Sequence, residues 1–374
     1  MRKRTLLIPA VLLLIVIPLT EIKANPERRD GKYALITDHA TPQTKALYQR
    51  IAQMQGKGVL FGHHYSNVSG INFTDWEQET DQSDVKTSVS DHPAIFGFDF
   101  GQGFSKQLEA VKSAARKGGV ITFSDHMRNP INPRSYNHKD GLINEEIASV
   151  LPGGKHHDVL VARLDSIADF ASKAVINGEK IPIIYRPWHE HTGRWFWWGI
   201  ESGTSEEYCQ LWHFTIDYLR KVKGVDNFIY AFSPAHFEEN YNYERRNPGA
   251  EYFDIAGLDL YSKDGESEAE RLISALEVVV EYAEANNKVP ALTEFGYRNG
   301  IKNSNNPRWY TENVLNPILD SEKAKRVVYA LTWRNRPGQY WIPLQGNPNY
   351  DDFVEFYKSP YTIFLRDWKA IKTK

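Results

Sequence analysis

Ile181-Pro182-Ile183-Ile184-Tyr185-Arg186-Pro187-Trp188-His189-Glu190 opens the stretch on which the reading of this chain turns, and it continues as His191-Thr192-Gly193-Arg194-Trp195-Phe196-Trp197-Trp198-Gly199. The apolar β-branched run Ile181 to Tyr185 predicts a strand buried on both faces, ending at Arg186-Pro187, where the ladder loses a donor. Beyond it, indoles, imidazoles, a carboxyl and a guanidinium crowd one strand mouth, more chemistry than a connecting turn needs. The pattern returns at Val289-Pro290-Ala291-Leu292-Thr293-Glu294-Phe295-Gly296, a second short apolar strand with Glu294 at its C-terminal tip. Two glutamates on two such tips can converge at the carboxyl end of a parallel sheet, where ligands bind in α/β architectures. Glycoside hydrolysis needs such a pair: one carboxyl protonates the leaving oxygen, and the other attacks the anomeric carbon or activates a water.

Outward from these two, six further strand signals appear: Gly58 to Phe61, Ala94 to Phe98, Val120 to Phe123, Asn227 to Phe232, Ile255 to Leu260 and Val327 to Thr332. Helical patterns fall between them. Thr41-Pro42 caps one, Ser105 opens another, and Leu160, Leu164, Ile167 and Phe170 share the face of a third. Ser205-Glu206 begins a fourth, and Glu268 to Asn286 is the clearest. Eight strands alternating with helices predict a closed (β/α)8 TIM barrel of the α/β class rather than an open doubly wound sheet. No glycine-rich nucleotide turn and no linker is evident, so residues 25–374 are expected to form a single catalytic domain with elaborated loops at the C-terminal face. Those loops are 62–91, 128–157, 233–253 and 334–352, the last bearing Tyr340 and Trp341. His126, Glu190, Tyr261, Glu294 and Trp333-Arg334 all end strands at that face.

Residues 1–24 are set apart. Arg2-Lys3-Arg4 precedes the apolar run Leu6 to Leu19, and Ala24 closes a cleavage region, the pattern of a signal peptide rather than a spanning helix. The mature chain is expected to be exported, periplasmic or secreted, without a membrane anchor and monomeric. Across its 374 residues the net charge is −2, which argues against nucleic acid or an anionic membrane surface as a partner. A neutral ligand suits it better, and with 10 Trp and 20 Tyr the chain holds many flat apolar faces fit for a pyranose. Cys209 is its one cysteine, so no internal disulfide forms, and a buried thiol within a helix is expected. His63-His64 and His156-His157 invite a metal reading, but neighbours on an extended chain face opposite ways and no third ligand follows. The acidic run Glu77 to Asp84 lacks a calcium-loop pattern. Neither metal nor cofactor is expected.

Arg186-Pro187-Trp188-His189-Glu190, with Gly193-x-Trp195-Phe196-Trp197-Trp198-Gly199, resembles the acid/base signature of glycoside hydrolase family 26, mostly endo-β-1,4-mannanases. Thr293-Glu294-Phe295-Gly296 resembles the family's nucleophile signature, and the likeness extends over roughly residues 40–370. It implies Glu190 as general acid/base, Glu294 as nucleophile, and retention through a covalent mannosyl-enzyme. Carboxyl groups about 5 to 5.5 Å apart suit that course, and above about 6.5 Å inversion. Because two buried carboxylates resist joint ionisation, one glutamate should keep its proton near neutral pH. Asp254-x6-Tyr261 matches a family pattern in which the tyrosine supports the nucleophile and the aspartate helps shape the site, although Asp254 stands seven residues upstream, at the opposite strand end. Trp195 and Trp333 are expected as a stacking wall and floor, and His126 as a sugar contact one subsite further out. His189 either orients the site or touches sugar, with a buried hydrogen-bonded histidine as the alternative. Arg186 either pairs with a catalytic carboxylate or makes a structural ion pair. Two departures stand out: Asp125 where many relatives carry tryptophan before the strand-three histidine, and His191-Thr192 after the acid.

The expected substrate is therefore β-mannan, glucomannan or galactomannan, or oligosaccharides from them. Hydrolysis of mixed-linkage β-1,3-1,4-glucan or β-1,3-xylan, or silent glycan binding, are the alternatives.

Overall fold

The computed structural model describes residues 33–76, 81–137, 146–235, 243–262 and 268–371. Residues 1–24, read above as a signal peptide, lie outside them. Among the described residues no helix is long and apolar enough to cross a membrane.

All eight expected strands form, as β1 Val59–His64, β2 Ile95–Asp99, β3 Val120–Ser124, β4 Ile183–Arg186, β5 Phe228–Phe232, β6 Ile255–Ser262, β7 Val289–Tyr297 and β8 Tyr329–Thr332. Each pairs in parallel with the next, and β8 returns to β1, with Leu60 opposite Tyr329 and His63 opposite Thr332, so the sheet closes as a (β/α)8 barrel. Closure leaves no unpaired edge within the barrel. Strand β4 starts at Ile183 rather than Ile181, because Pro182 has no N–H for the ladder.

The near-continuous apolar strands bury both faces, as parallel strands under helices do. Leu60, Ile95, Val120, Ile184, Ile229, Ile255 and Val289 cluster with Tyr48 and Ile51 of helix α1, Pro42–Ala52. These are strand-start positions, so α1 covers the N-terminal end. Phe61, Phe96, Ile121, Ile183 and Tyr230 point the other way. They pack with helices α2 Ser105–Lys117, α3 His157–Lys173, α4 Ser205–Asp217 and α5 Glu268–Ala285. Local signals hold the helix ends. Thr41 accepts the Thr44 N–H ahead of Pro42, and Thr204 with Glu207 forms a reciprocal capping box before α4. Cys209 on α4 is half-buried rather than fully inside, its Sγ 3.5 Å from the Asn247 carbonyl.

Several pieces carry too little periodicity to be read from sequence. Val175–Ile176 and Glu179–Lys180 make a small antiparallel hairpin, and Thr362–Ile363 adds beside β1. Short helices Asp84–Val89 and Tyr350–Lys358 lie at the ends of segments read as loops.

Candidate active site

The C-terminal mouth is built outward from β4. Arg186, its last residue, is 1% exposed and donates to both Asp259 and Glu294, with Ser233 Oγ at 3.2 Å. Pro187 then ends the strand, and residues 187–190 form a turn in which Trp188 and Glu190 adopt φ values of 47° and 54°. Left-handed backbone at two non-glycine residues costs of order 1–3 kcal/mol each and persists only where the surroundings hold it. Here they do. The Trp188 indole donates to Thr215 Oγ1 at 3.0 Å, and its carbonyl accepts the Tyr208 hydroxyl at 2.9 Å. The His189 carbonyl accepts the Trp198 indole at 2.7 Å, and the Glu190 N–H donates to the Ser233 carbonyl at 2.8 Å. An extended strand would send His189 and Glu190 to opposite sides, whereas this turn brings both into one cleft.

Glu294 is aimed by a different irregularity. Against β6, Leu258 opposes Leu292 but Asp259 opposes Glu294, and against β8 the register also slips between Ala330 and Thr332. Strand β7 thus carries one extra residue relative to both neighbours, a bulge that re-aims its side chains. Gly257 makes room for it, since a Cβ there would lie 2.6 Å from Thr293 Cγ2 and 3.0 Å from the Phe232 carbonyl oxygen. One Glu294 oxygen accepts from Arg186, and the other accepts the Tyr261 hydroxyl at 2.7 Å.

A cleft of about 380 Å³ unites these groups. His126, His189, Glu190, Trp195, Tyr261, Glu294 and Trp333, the seven positions singled out in the sequence, all line it. The Trp195 indole is 43% exposed and donates to Glu190 Oε2 at 2.8 Å, so one face stays open beside the carboxyl. Trp333 rests on the His64 ring, centroids 4.4 Å apart, and lies 5.7 Å from the His126 ring. His126 Nδ1 is hydrogen-bonded to the buried Asp99 carboxylate.

The two glutamates have different neighbours. Burial, then the nearby Glu294 charge, lifts the Glu190 carboxyl to about 7, although Trp195, Arg186 and His126 each favour its ionised form. Arg186, in contact with Asp259 and Glu294, is held above the ordinary guanidinium range despite its burial. A carboxyl whose hold on its proton is strengthened and a second carboxyl gripped by guanidinium and phenol therefore share one sugar-sized, indole-flanked cleft, an arrangement fit for acid-assisted displacement at an acetal carbon. The model of glycosyl hydrolase family 26 matches residues 36–316.

The chain belongs to glycosyl hydrolase family 26. Among solved family 26 structures it is similar to a modular endo-β-1,4-mannanase from Cellulomonas fimi, with TM-score 0.83 and 35% identity over 90% of this chain and 78% of that one. It is equally similar to the catalytic domain of a family 26 endo-β-1,4-mannanase from Bacillus sp. JAMB-750, at TM-score 0.83 and 34% identity, covering 90% and 95%. A mannan endo-1,4-β-mannosidase of Bifidobacterium adolescentis is 30% identical over 364 residues. That alignment covers 87% of this chain and spans only 35% of the Bifidobacterium protein.

In this family 26 chain Asp254 lies at the strand end opposite Tyr261, as their spacing implied. Asp254 does not line the cleft. Its carboxylate accepts the Ile36 and Tyr230 N–H groups at 2.7 and 2.8 Å at the opposite end of the barrel, where β6 begins. Asp125 turns outward to pair with Arg163 of α3, with the Tyr185 hydroxyl at 3.2 Å. His191 stacks on Tyr208 of α4, centroids 4.3 Å apart, and Thr192 Oγ1 donates to the Ala235 carbonyl. Arg186 resolves both of its alternatives at once, since Glu294 and Asp259 share its guanidinium.

Sequence reading passed over Asp259, which lines the cleft and has Thr293 Oγ1 at 2.7 Å. A signal existed: Asp259 and Tyr261 are two apart, hence on one face of a strand, whereas Asp254 and Tyr261 are seven apart and on opposite faces. Trp341 also lines the cleft, its indole donating to the Tyr297 carbonyl at 2.9 Å. Among the described residues no group of His, Cys, Asp and Glu is placed to hold a metal.

Proposed function

We propose that this chain is an endo-β-1,4-mannanase that cleaves β-1,4-mannosidic linkages in mannan, glucomannan or galactomannan, or oligosaccharides from them, by a retaining double displacement. It works outside the cytoplasm, where a polymer meets it. The observation that carries the reading is the pairing, in one cleft, of a buried Glu190 carboxyl raised to about 7 with Glu294, whose two oxygens are held by Arg186 and Tyr261. Mannanase activity is the function named for the similar proteins above.

The Glu294 carboxylate, aimed by Arg186 and Tyr261, attacks the anomeric carbon. The bond from that carbon to the leaving sugar's oxygen breaks as Glu190 gives its proton to the oxygen, and a mannosyl ester forms on Glu294. Glu190, now a carboxylate, takes a proton from a water whose oxygen attacks the same carbon. Glu294 departs, and the acid is restored. Trp195 offers a face to the sugar beside Glu190, and Trp333 a floor.

Chromatography of products from mannan, lichenan and xylan, with the anomer of the first product followed by NMR, tests the reading. Manno-oligosaccharides released first as the β-anomer support it; α-anomers would mean inversion, and products from lichenan or xylan alone would move the substrate assignment. A Glu294→Ala protein that releases sugar from mannan as fast as the parent would remove Glu294 from the nucleophile role.

A further inference from the structure

His126 sits between the cleft and a buried carboxylate. Asp99, at the tip of β2, is 2% exposed, and its carboxylate is ringed by hydrogen-bond donors. Oδ1 accepts the Gly101 N–H at 2.5 Å and the His126 N–H at 3.3 Å, while Oδ2 accepts Ser124 Oγ at 2.7 Å and faces His126 Nδ1. Gly101 is pressed into this corner, since a Cβ on it would lie 2.7 Å from Asp99 Oδ1 and 2.8 Å from the His126 carbonyl oxygen. His126 Nε2 has no protein partner among the described residues, and the ring lines the cleft with 18% of its side chain exposed. The two ring nitrogens thus face different worlds.

We propose that Asp99 is a positioning residue that keeps a proton on His126 Nδ1, so that Nε2, the nitrogen turned to the cleft, is the one that gains and loses a proton. In the charged ring Nε2 donates to a sugar oxygen. In the neutral ring, with the proton left on Nδ1, Nε2 is an acceptor instead. The contact with sugar rests on the hydrolase reading above; the tautomer does not.

The charged and titratable groups that face the ring favour this arrangement. Besides Asp99 they are Glu190 and Glu294 across the cleft, His189 with its ring 4.6 Å away, Tyr136 at 5.6 Å, and His64 and Arg186 deeper in the barrel. Burial opposes a charged ring, yet Asp99, then Glu294 and Glu190, carry the His126 imidazole above its ordinary value. His64 and His189 are pushed well below theirs, chiefly by burial and then by Arg186, so the positive charge of the trio rests on His126.

Asp99→Asn inverts the device. Two backbone N–H groups claim Oδ1, so the asparagine keeps its oxygen there and turns its NH2 toward Nδ1, which must then accept. The ring proton moves to Nε2. In long-range 1H–15N spectra, with His126 assigned by its loss in His126→Gln, the parent's neutral ring is expected as the Nδ1–H tautomer and that of Asp99→Asn as Nε2–H. For a mannan oligosaccharide below pH 6, KM is expected to rise about tenfold in Asp99→Asn with a smaller fall in kcat, since a charge-assisted bond becomes a neutral one. A parent whose neutral His126 is the Nε2–H tautomer overturns the proposal without any variant, as does an Asp99→Asn protein that keeps the Nδ1–H form or the parent's KM. A parent that shows the expected tautomer yet releases nothing from mannan, lichenan or xylan overturns the hydrolase reading and leaves Asp99's role standing.

Discussion

The Tyr261 hydroxyl lies 2.7 Å from Glu294 Oε2, on the side of the carboxylate that Arg186 does not occupy. A phenol and a guanidinium thus divide the two oxygens between them, which fixes the plane of the carboxylate and leaves its charge on the side of the cleft. Tyr261→Phe keeps the ring and removes only the donor. A hydrogen bond to a charged group contributes about 1.5–3 kcal/mol, so kcat/KM on mannan should fall about 10- to 100-fold with little change in thermal midpoint. Steady-state kinetics alongside calorimetry checks this, and an unchanged kcat/KM would show that Arg186 alone positions Glu294.

A general acid must hold its proton. With the Glu190 carboxyl at about 7, the working form is lost as pH rises through that value, so kcat/KM should show an alkaline limb near 7. The Trp195 indole hydrogen bond favours the ionised form. Trp195→Phe removes that bond, so the limb should move to higher pH even as the rate falls. A pH–rate profile for both proteins reads the shift, and a limb moving to lower pH would contradict the assignment.

Arg186 is 1% exposed and bridges Asp259 and Glu294. Removing one member of a buried ion network strands the rest, so Arg186→Ala should cost about 3–5 kcal/mol of stability as well as activity. Urea unfolding followed by tryptophan fluorescence measures the loss. A cost below about 1 kcal/mol would mean that the two carboxyls neutralise themselves by taking protons.

Asp254 separates stability from catalysis. Its carboxylate accepts two buried N–H groups at the barrel's N-terminal end, far from the cleft lining. Asp254→Ala should cost about 1–3 kcal/mol for each donor left unpaired, while kcat of the folded protein at 25 °C stays within about twofold of the parent. A tenfold loss of kcat in protein that melts normally would return Asp254 to the site.

The barrel was legible because each strand is a short apolar run, and burial on two faces leaves a parallel strand little other composition. The strand tips were legible as places, but the directions of their side chains were not. Alternation puts His189 and Glu190 on opposite sides; two left-handed residues, held by Thr215, Tyr208, Trp198 and Ser233, put them on one. The bulge that aims Glu294 left only Gly257 as a trace, on another strand. Asp99 and Asp259 passed for ordinary strand residues, since nothing near them in sequence shows which imidazole or guanidinium they meet. Thr362–Ile363 is too short for any period to show.

By itself the sequence determined which segments bury their side chains, and hence the eight strands and the residues standing at their ends, because burial depends on local composition and period. Only the tertiary structure decided that Glu294 and Asp259 share Arg186, and which nitrogen of His126 meets the cleft. Those outcomes depend on distances between groups far apart in the chain, in an interior where a charge is felt strongly over a few ångströms, and no local pattern encodes them.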